Sequence, residues 1–339
     1  MLSHLDLVAL RLVARLTNDE LRRHASDCST LNEVLERIGH HALDLSEQAR
    51  VQIDRCSACQ VQIVAWHEDS YPARLGVISS PPAVLFVRGT LPADHLPTVG
   101  IVGTRSCTMH YGKPVTESLV ESWVDRSAVV VSGLANGIDM LAHESTVRRG
   151  GITVAVIASG IDRITPIAAQ RMADRIVASG GCVISEHPCG VAALPPFFPA
   201  RNRIISGLSD AVVVVESKRR GGALITAEFA RQQGRPVYAV PGPITSSRSD
   251  GCNALIASSS ARMLTCADDL EEVPISGRQG RLRQDTLVEG LEGGTPRHLD
   301  ELAVVWNCTA SDALQRVLDL ELDGRITRLP GNLFLARVP

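Results

Sequence analysis

Aromatic side chains are scarce in this sequence. Three tryptophans, three tyrosines and five phenylalanines make up 3% of 339 residues. Ring stacking on bases or sugars is therefore confined to a few positions and is expected to be a minor term in binding. Long apolar runs are also missing: none reaches the roughly 18 residues a helix needs to cross a bilayer, so no membrane association is expected. The opening residues Met1-Leu-Ser-His-Leu-Asp6 lack the basic head and cleavage site of a secretory signal, and a cytoplasmic protein is expected. Neither charge sign dominates, with 34 basic and 37 acidic residues and a net charge of −3, so there is no global electrostatic draw toward nucleic acid. The nine cysteines lack paired spacing and read as reduced thiols. Cys56-Ser-Ala-Cys59 is a lone CxxC without a second ligand pair, which points to two ordinary thiols near a helix end rather than a metal site. Neither GxGxxG nor the Gly-Lys-Ser/Thr of a P-loop occurs, so dinucleotide and ATP sites of the usual kind are excluded and no cofactor is expected.

What is present is a repeated pattern. Six short apolar runs each end in a turn of small, polar or charged residues: Val99–Val102, Val129–Val131, Val154–Ile157, Cys182–Ile184, Ala211–Val215 and Val237–Val240. Helix-length segments separate them, which predicts buried parallel strands in a doubly wound α/β domain. Ligands in such folds bind at the carboxyl ends of the strands, so the turns should converge on one crevice.

The flanks differ. Residues 1 to about 64 read as helical, with Leu5, Val8, Leu12 and Leu16, then Leu31, Leu35 and Ile38, at helical spacing. Trp66–Gly89, with Tyr71-Pro72, Pro81-Pro82 and the strand-like Val84–Val87, reads as a connector packed on the following sheet. Residues 271–284 form a polar, glycine-containing linker. The segment 285–339 predicts a separate unit with the order helix, helix, helix, hairpin. Thr295 is expected to cap one helix with Pro296 at its first position, and Thr309 the next, with Ala313, Leu314, Val317 and Leu318 on one face.

Several turns carry residues suited to phosphate. Gly103-Thr104-Arg105 offers a close backbone approach, free N–H groups and a planar guanidinium, although such a tripeptide alone is often just a turn. Ser132-Gly133-Leu-Ala-Asn136-Gly137-Ile-Asp139 is a small-residue loop feeding a helix start. Phe198-Pro-Ala-Arg201-Asn202-Arg203 places two arginines around an asparagine before an apolar helix face. They either face the crevice as phosphate ligands or pair with Glu186 and Glu216 to lock loops together. Lys218-Arg219-Arg220 precedes Gly221-Gly222 and a helix carrying Thr226. From Arg201 to Arg235 seven basic residues face three acidic ones, so an anion site is expected there rather than elsewhere. Asp139, Glu186 and Glu216 read either as catalytic carboxylates or as loop-locking groups, and no nucleophile–base pair accompanies them. His143, one turn past Asp139, is expected to pair with that carboxylate or to pack under the loop.

These motifs together resemble the DNA-processing protein A family (DprA, also called Smf). The resemblance runs from about residue 66 to 266. It comprises Tyr71-Pro72, Pro81-Pro82 and Leu85-Phe86; Val102-Gly-Thr-Arg105 with Tyr111-Gly112; Ser132–Asp139 with Ala142-His143; and Ile184-Ser-Glu186. Phe198–Ile205, Leu224-Ile-Thr-Ala227, Gly234-Arg235, Pro241-Gly242 and Gly251-Cys-Asn253 with Leu255-Ile256 complete it. The sequence departs from the family pattern at four places. Thr165 precedes Pro166 in place of tyrosine and Ala169 replaces an asparagine. Gly221-Gly222-Ala223 replaces Ser-Gly-Ser, and Ser260-Ala261 replaces Gly-Ala.

The resemblance implies a Rossmann-like domain at 61–270 that binds single-stranded DNA independently of sequence. It also implies homodimers, protection of incoming DNA and loading of a RecA-type recombinase during natural transformation, with no catalytic step. An N-terminal helical domain at 1–60, of the sterile-alpha-motif or helix-hairpin-helix type, and a winged helix at 285–339 fit the family layout. The DNA contacts implied are Gly103, Thr104, Arg105, Ser132, Gly133, Asn136, Gly137, Arg201, Asn202, Arg203, Lys218, Arg219, Gly222 and Thr226. Asp139, His143, Glu186 and Glu216 are expected to hold loops. Related nucleoside-monophosphate phosphoribohydrolases share this fold class, but their Gly-Gly-x-Gly-Thr-x-x-Glu signature is absent: Thr226 and Glu228 stand at the wrong spacing after Gly221-Gly222. The second helix of the C-terminal unit carries Asp312, Asp319, Glu321 and Asp323 against Arg316, which suits a protein partner better than the major groove. Any duplex contact there would fall to Arg325 and Arg328.

Overall fold

The protein is described here by a computed structural model covering residues 6–7, 9–10, 18–28, 30–38, 43–270, 273, 296–306, 308–322, 326–329 and 331–336. The chain divides into two compact units, Met1–Ser276 and Gly277–Pro339.

The first unit opens with helices α1 (Asn18–Asp27), α2 (Leu31–Ile38) and α3 (Leu43–Ala58). The six apolar runs then form β3 (Thr98–Val102), β4 (Val129–Ser132), β5 (Thr153–Val156), β6 (Cys182–Ser185), β7 (Ala211–Val214) and β8 (Val237–Ala239). Each of them is buried along its whole length, as expected of strands covered on both faces. Side chains alternate between two cores. Val99, Ile101, Val130 and Val213 pack with Leu119 and Trp123 on one face. Val102, Val129, Val131 and Val212 pack with Ile204, Ile205 and Ala227 on the other. The covering helices are α5 (Gly112–Val124), α6 (Ile138–Arg148), α7 (Ile167–Ala178), α8 (Phe197–Leu208), α9 (Ala223–Gln232) and α10 (Asp250–Ala257).

The strand before the connector was not expected. The helical reading of residues 1–64 ends at Ala58, and β1 (Gln62–Ala65) follows. The connector contains a short helix, α4 (Ala73–Gly76), and its strand-like run Val84–Val87 forms β2 (Val84–Gly89). β2 joins the sheet antiparallel to β6, and β1 pairs antiparallel with β2. The nine-stranded order is β1-β2-β6-β5-β4-β3-β7-β8-β9, with the edge strand β9 at Arg262–Met263. The chain winds outward from β3 to β6, then returns to the other side of β3 as β7. That reversal opens a crevice at the carboxyl ends of β3, β4 and β7.

The segment expected as a separate N-terminal domain shares a core with the sheet: Leu21, Leu35 and Cys56 pack in one cluster with Phe86, Ala155 and Met172. Cys56 places its sulfur 3.7 Å from that of Cys189.

The second unit contains β10 (Arg297–His298), α11 (Leu299–Val305), α12 (Ala310–Leu322), β11 (Ile326–Leu329) and β12 (Leu333–Ala336). β11 and β12 form the expected hairpin, and β10 adds on the other side of β12. The linker apart from Val273, any helix between it and Pro296, Thr295 and Arg325 lie outside the described residues. The helix expected to start at Pro296 begins at Leu299 instead, because His298 caps it by accepting a hydrogen bond from the Asp300 N–H at 3.4 Å. The buried stripe of α12 is also rotated from expectation. Ala313, Val317 and Leu320 are buried, whereas Leu314 and Leu318 are about 40% exposed.

Candidate nucleic-acid interface

At the reversal point lies a hollow of about 600 Å3. Its walls come from the turns after β3 (Gly103, Thr104, Arg105), β4 (Ala135) and β7 (Ser217, Lys218, Arg220, Gly221 and Gly222), from Asp139 in the first turn of α6, and from the start of α8. A second hollow of about 180 Å3 adjoins it and shares Arg105, Phe198 and Arg201 with the first. The turn after β5 (Ala158, Ser159) lines this second hollow together with Asn136, Thr165, Pro166 and Ala169. The turn after β8 goes elsewhere: the Tyr111 hydroxyl donates to the Pro241 carbonyl, and Asn253 bonds both ways with Gly242.

The floor is built from glycines and backbone bonds. Gly137 has a φ of +84°, and a side chain there would run into the Thr104 carbonyl. That close approach lets the Ile138 N–H donate to Thr104 O at 3.2 Å, joining the β3 turn to the start of α6. A Cβ on Gly133 would stand 2.7 Å from both the Arg201 guanidinium and the Asp139 carboxylate. Ser132 lies beneath the site, donating its hydroxyl to Ile101 O at 2.6 Å.

Asp139 is buried and accepts from the Gly133 N–H at 3.1 Å, with the Ala135 and Gly103 N–H groups also directed to it. Burial pushes its carboxyl up to about 6, although Arg201 and these donors oppose the shift. His143 does not pair with Asp139. Its Nδ1 lies 2.7 Å from Thr153 Oγ1, whose proton goes to Val130 O. Burial, with Arg201 nearby, holds the imidazole down to about 3, so it is neutral.

The arginines divide by role. Arg203 grips Glu186 with both nitrogens, at 2.9 and 2.8 Å, and donates to Ser80 O at 2.9 Å. Asn18 of α1 donates to the same carboxylate at 3.1 Å. Arg201 is 5% exposed and donates to Gly133 O at 2.7 Å, to Val156 O and to Asn202 Oδ1. Neither arginine reaches Glu216, contrary to the pairing considered from the sequence. Glu216 instead accepts from the N–H and the hydroxyl of Thr108, at 2.9 and 2.7 Å, and so clamps the loop that leads into α5. Arg105 is exposed and stands 5.6 Å above the Phe198 ring. Lys218, Arg219 and Arg220 are exposed.

Arg105, Arg201, Lys218 and Arg220 line the large hollow against one carboxylate, Asp139. Asn202, Gly222 and Thr226 also line it, and the buried Thr226 hydroxyl has no hydrogen-bond partner within the protein. Four expected residues lie outside both hollows: Gly137 and Ser132 in the floor, Arg203 in its pairing with Glu186, and Arg219. Arg219 lies around the corner, on an outer groove. Phe198 and Ser217 were missing from the expected contacts. The signal for Phe198 was its position as a rare aromatic at the start of the arginine-bearing helix. Glu228 faces away from the hollow and pairs with Arg231 at 3.2 Å.

Residues 62–273 match the family model of the DNA recombination-mediator protein A, and residues 283–332 that of the DprA winged helix domain. The chain is similar to DNA processing protein DprA of Streptococcus pneumoniae, at 42% identity over 60% of this chain and 71% of the relative. It is also similar to protein Smf of Escherichia coli, at 34% identity over 77% of this chain and 74% of the relative. Its fold matches the X-ray structure of the Streptococcus pneumoniae protein with a TM-score of 0.68, at 34% identity, covering 79% of this chain and 96% of the other. A structure of DNA processing protein A from Helicobacter pylori, described for its single-stranded DNA binding mode, shares the fold with a TM-score of 0.56 at 24% identity. It covers 67% of this chain and 97% of that one. The Rossmann-like sheet and the winged-helix unit are therefore those of this group of proteins.

Proposed function

The chain belongs to the DNA recombination-mediator protein A family, and from that premise we propose that it binds single-stranded DNA through the hollow at the sheet reversal. The carrying observation is the convergence there of Arg105, Lys218 and Arg220 from two turns, with Phe198 beneath Arg105 and the partnerless Thr226 hydroxyl at the wall. Exposed cations supply phosphate contacts that read no sequence. The recess is of small-molecule size, so it suits a nucleotide or two of an unpaired strand and not the side of a duplex. Gly103 and Gly222 bring main chain to the same surface.

The reading extends to the role the family description carries. The bound strand is protected and passed to a RecA-type recombinase in the cytoplasm, during natural transformation or recombination. Homodimers are part of the same proposal, with the open sheet edge at β9 and its exposed Met263 as a surface available to a second copy. No catalytic step is included. Asp139 is the one carboxylate in the hollow and is held by main-chain donors and Arg201, while Glu228 points outward. The test is competition at fixed salt: unlabelled single strands should displace a labelled oligothymidylate from the full chain far better than duplex of equal length. Equal displacement by duplex contradicts the proposal.

A further inference from the structure

Helix α9 has two faces. Ala223, Thr226, Ala227 and Ala230 are buried. Ile225, Glu228, Phe229 and Gln232, at helical spacing, line a groove of about 510 Å3 on the outer side, with Arg219 and Arg220 at its mouth. This groove is continuous with the large hollow, because Arg220, Gly221, Gly222 and Ile225 border both. Gly222 is exposed with open space where a side chain would be, so the divide between groove and hollow is low.

We propose that this groove is a further nucleotide subsite for single-stranded DNA, in which a base of the strand leaving the hollow stacks on Phe229. The inference rests on the single-strand reading above. Two features favour a strand of nucleic acid as the occupant. Cations stand where the backbone would cross, and an apolar floor of Leu224, Ile225 and Phe229 lies just beyond, matching a polymer that alternates phosphate with flat apolar rings. The acid in the groove, Glu228, is engaged by Arg231 at 3.2 Å and by Gln232 at 2.9 Å. The second feature is the fate of the few aromatics. Phe86, Phe334, Tyr71, Tyr238 and Trp123 are buried, Phe197 stacks on His187, and Phe198 lies under Arg105. Phe229 belongs to none of the packed cores and is half-buried in the groove wall.

The experiment uses the full chain with oligothymidylates of increasing length. Phe229→Ala and Phe229→Leu should weaken binding of long oligomers by about fivefold or more, the scale of one lost stacked base, and leave the shortest unaffected. Phe229→Trp should keep its affinity, and its added fluorescence should be quenched by oligothymidylate but not by an abasic chain. Equal affinity of Phe229→Ala and the parent at every length overturns the subsite. So does an unquenched indole, or a change in oligomeric state with DNA affinity intact, which would make the groove a protein contact. If the unaltered chain binds no single strand, the underlying reading falls. If it binds, Arg105→Ala weakens every length and Phe229→Ala none, only the subsite falls.

Discussion

The guanidinium of Arg203 is bound edge to edge to the carboxylate of Glu186, with both partners almost out of reach of solvent at 11% and 5% exposure. The pair joins α8 to the turn after β6, and Asn18 ties α1 to the same carboxylate. An arginine held this way is an architectural cation, although its neighbour Asn202 lines the hollow.

Removing one partner should therefore unfold before it unbinds. Arg203→Ala is expected to cost about 3–5 kcal/mol of stability in urea denaturation, since it strands a buried charge. The protein that remains folded should bind single-stranded DNA with near-parental affinity. Full stability with lost binding would contradict this assignment.

Gly137→Ala tests the junction of the two phosphate-facing turns. The substituted residue must hold a φ of +84° and push the Thr104 carbonyl away. A loss of about 1–3 kcal/mol is expected, together with weaker DNA binding, because Arg105 follows directly on the displaced residue. Thermal melting and oligothymidylate titration read both effects.

Two of the buried titratable groups, Asp139 and His143, have opposite pH signatures. Asp139 keeps its proton up to about pH 6 when folded but only to its ordinary value when unfolded. Its contribution is thus fully present in acid and is lost as pH rises through about 6. His143 is held down to about 3, so its contribution is intact at neutral pH and is lost as pH falls below its ordinary value of 6.5. Stability measured between pH 7 and 4 should then separate the variants. Asp139→Asn should lose stability relative to the parent as pH falls, and His143→Gln should gain relative to the parent. Each difference should be on the order of a few kcal/mol across the window.

The C-terminal unit should add little to duplex binding. Arg328 in its hairpin stands 5.9 Å over Phe334 and donates to Asn332 at 2.6 Å, and α12 shows Leu314 and Leu318 to solvent. Truncation after Ser276 should leave duplex affinity unchanged in a filter-binding assay. A marked drop would restore a duplex-reading role.

The parallel core was legible because each strand is a β-branched run between helix-length segments, and hiding both faces forces that pattern. Strand β1 and the antiparallel place of β2 in the sheet were not. An antiparallel edge strand needs no crossover helix, and the partner of Val84–Gly89 is nearly a hundred residues away at Cys182–Ser185. In α12, Leu314 and Leu318 looked equivalent to Ala313 and Val317, since adjacent stripes differ by one helical step and packing chooses between them. The site was legible to the level of turns. Which arginine is free was not, because Arg201 spends its donors on main-chain carbonyls that no residue pattern reveals. Thr108 is likewise an unremarkable residue until folding sets it against Glu216.

The central claim, that Arg105 and its neighbours form a phosphate track for an unpaired strand, is tested most directly by salt titration. Binding of a long oligothymidylate to the full chain and to Arg105→Ala is followed by anisotropy as salt is raised. The parent's affinity should fall steeply with salt, and the variant should bind more weakly, with its log–log slope shallower by about 0.7, one phosphate's worth. An unchanged affinity and slope in Arg105→Ala at low salt would contradict the account.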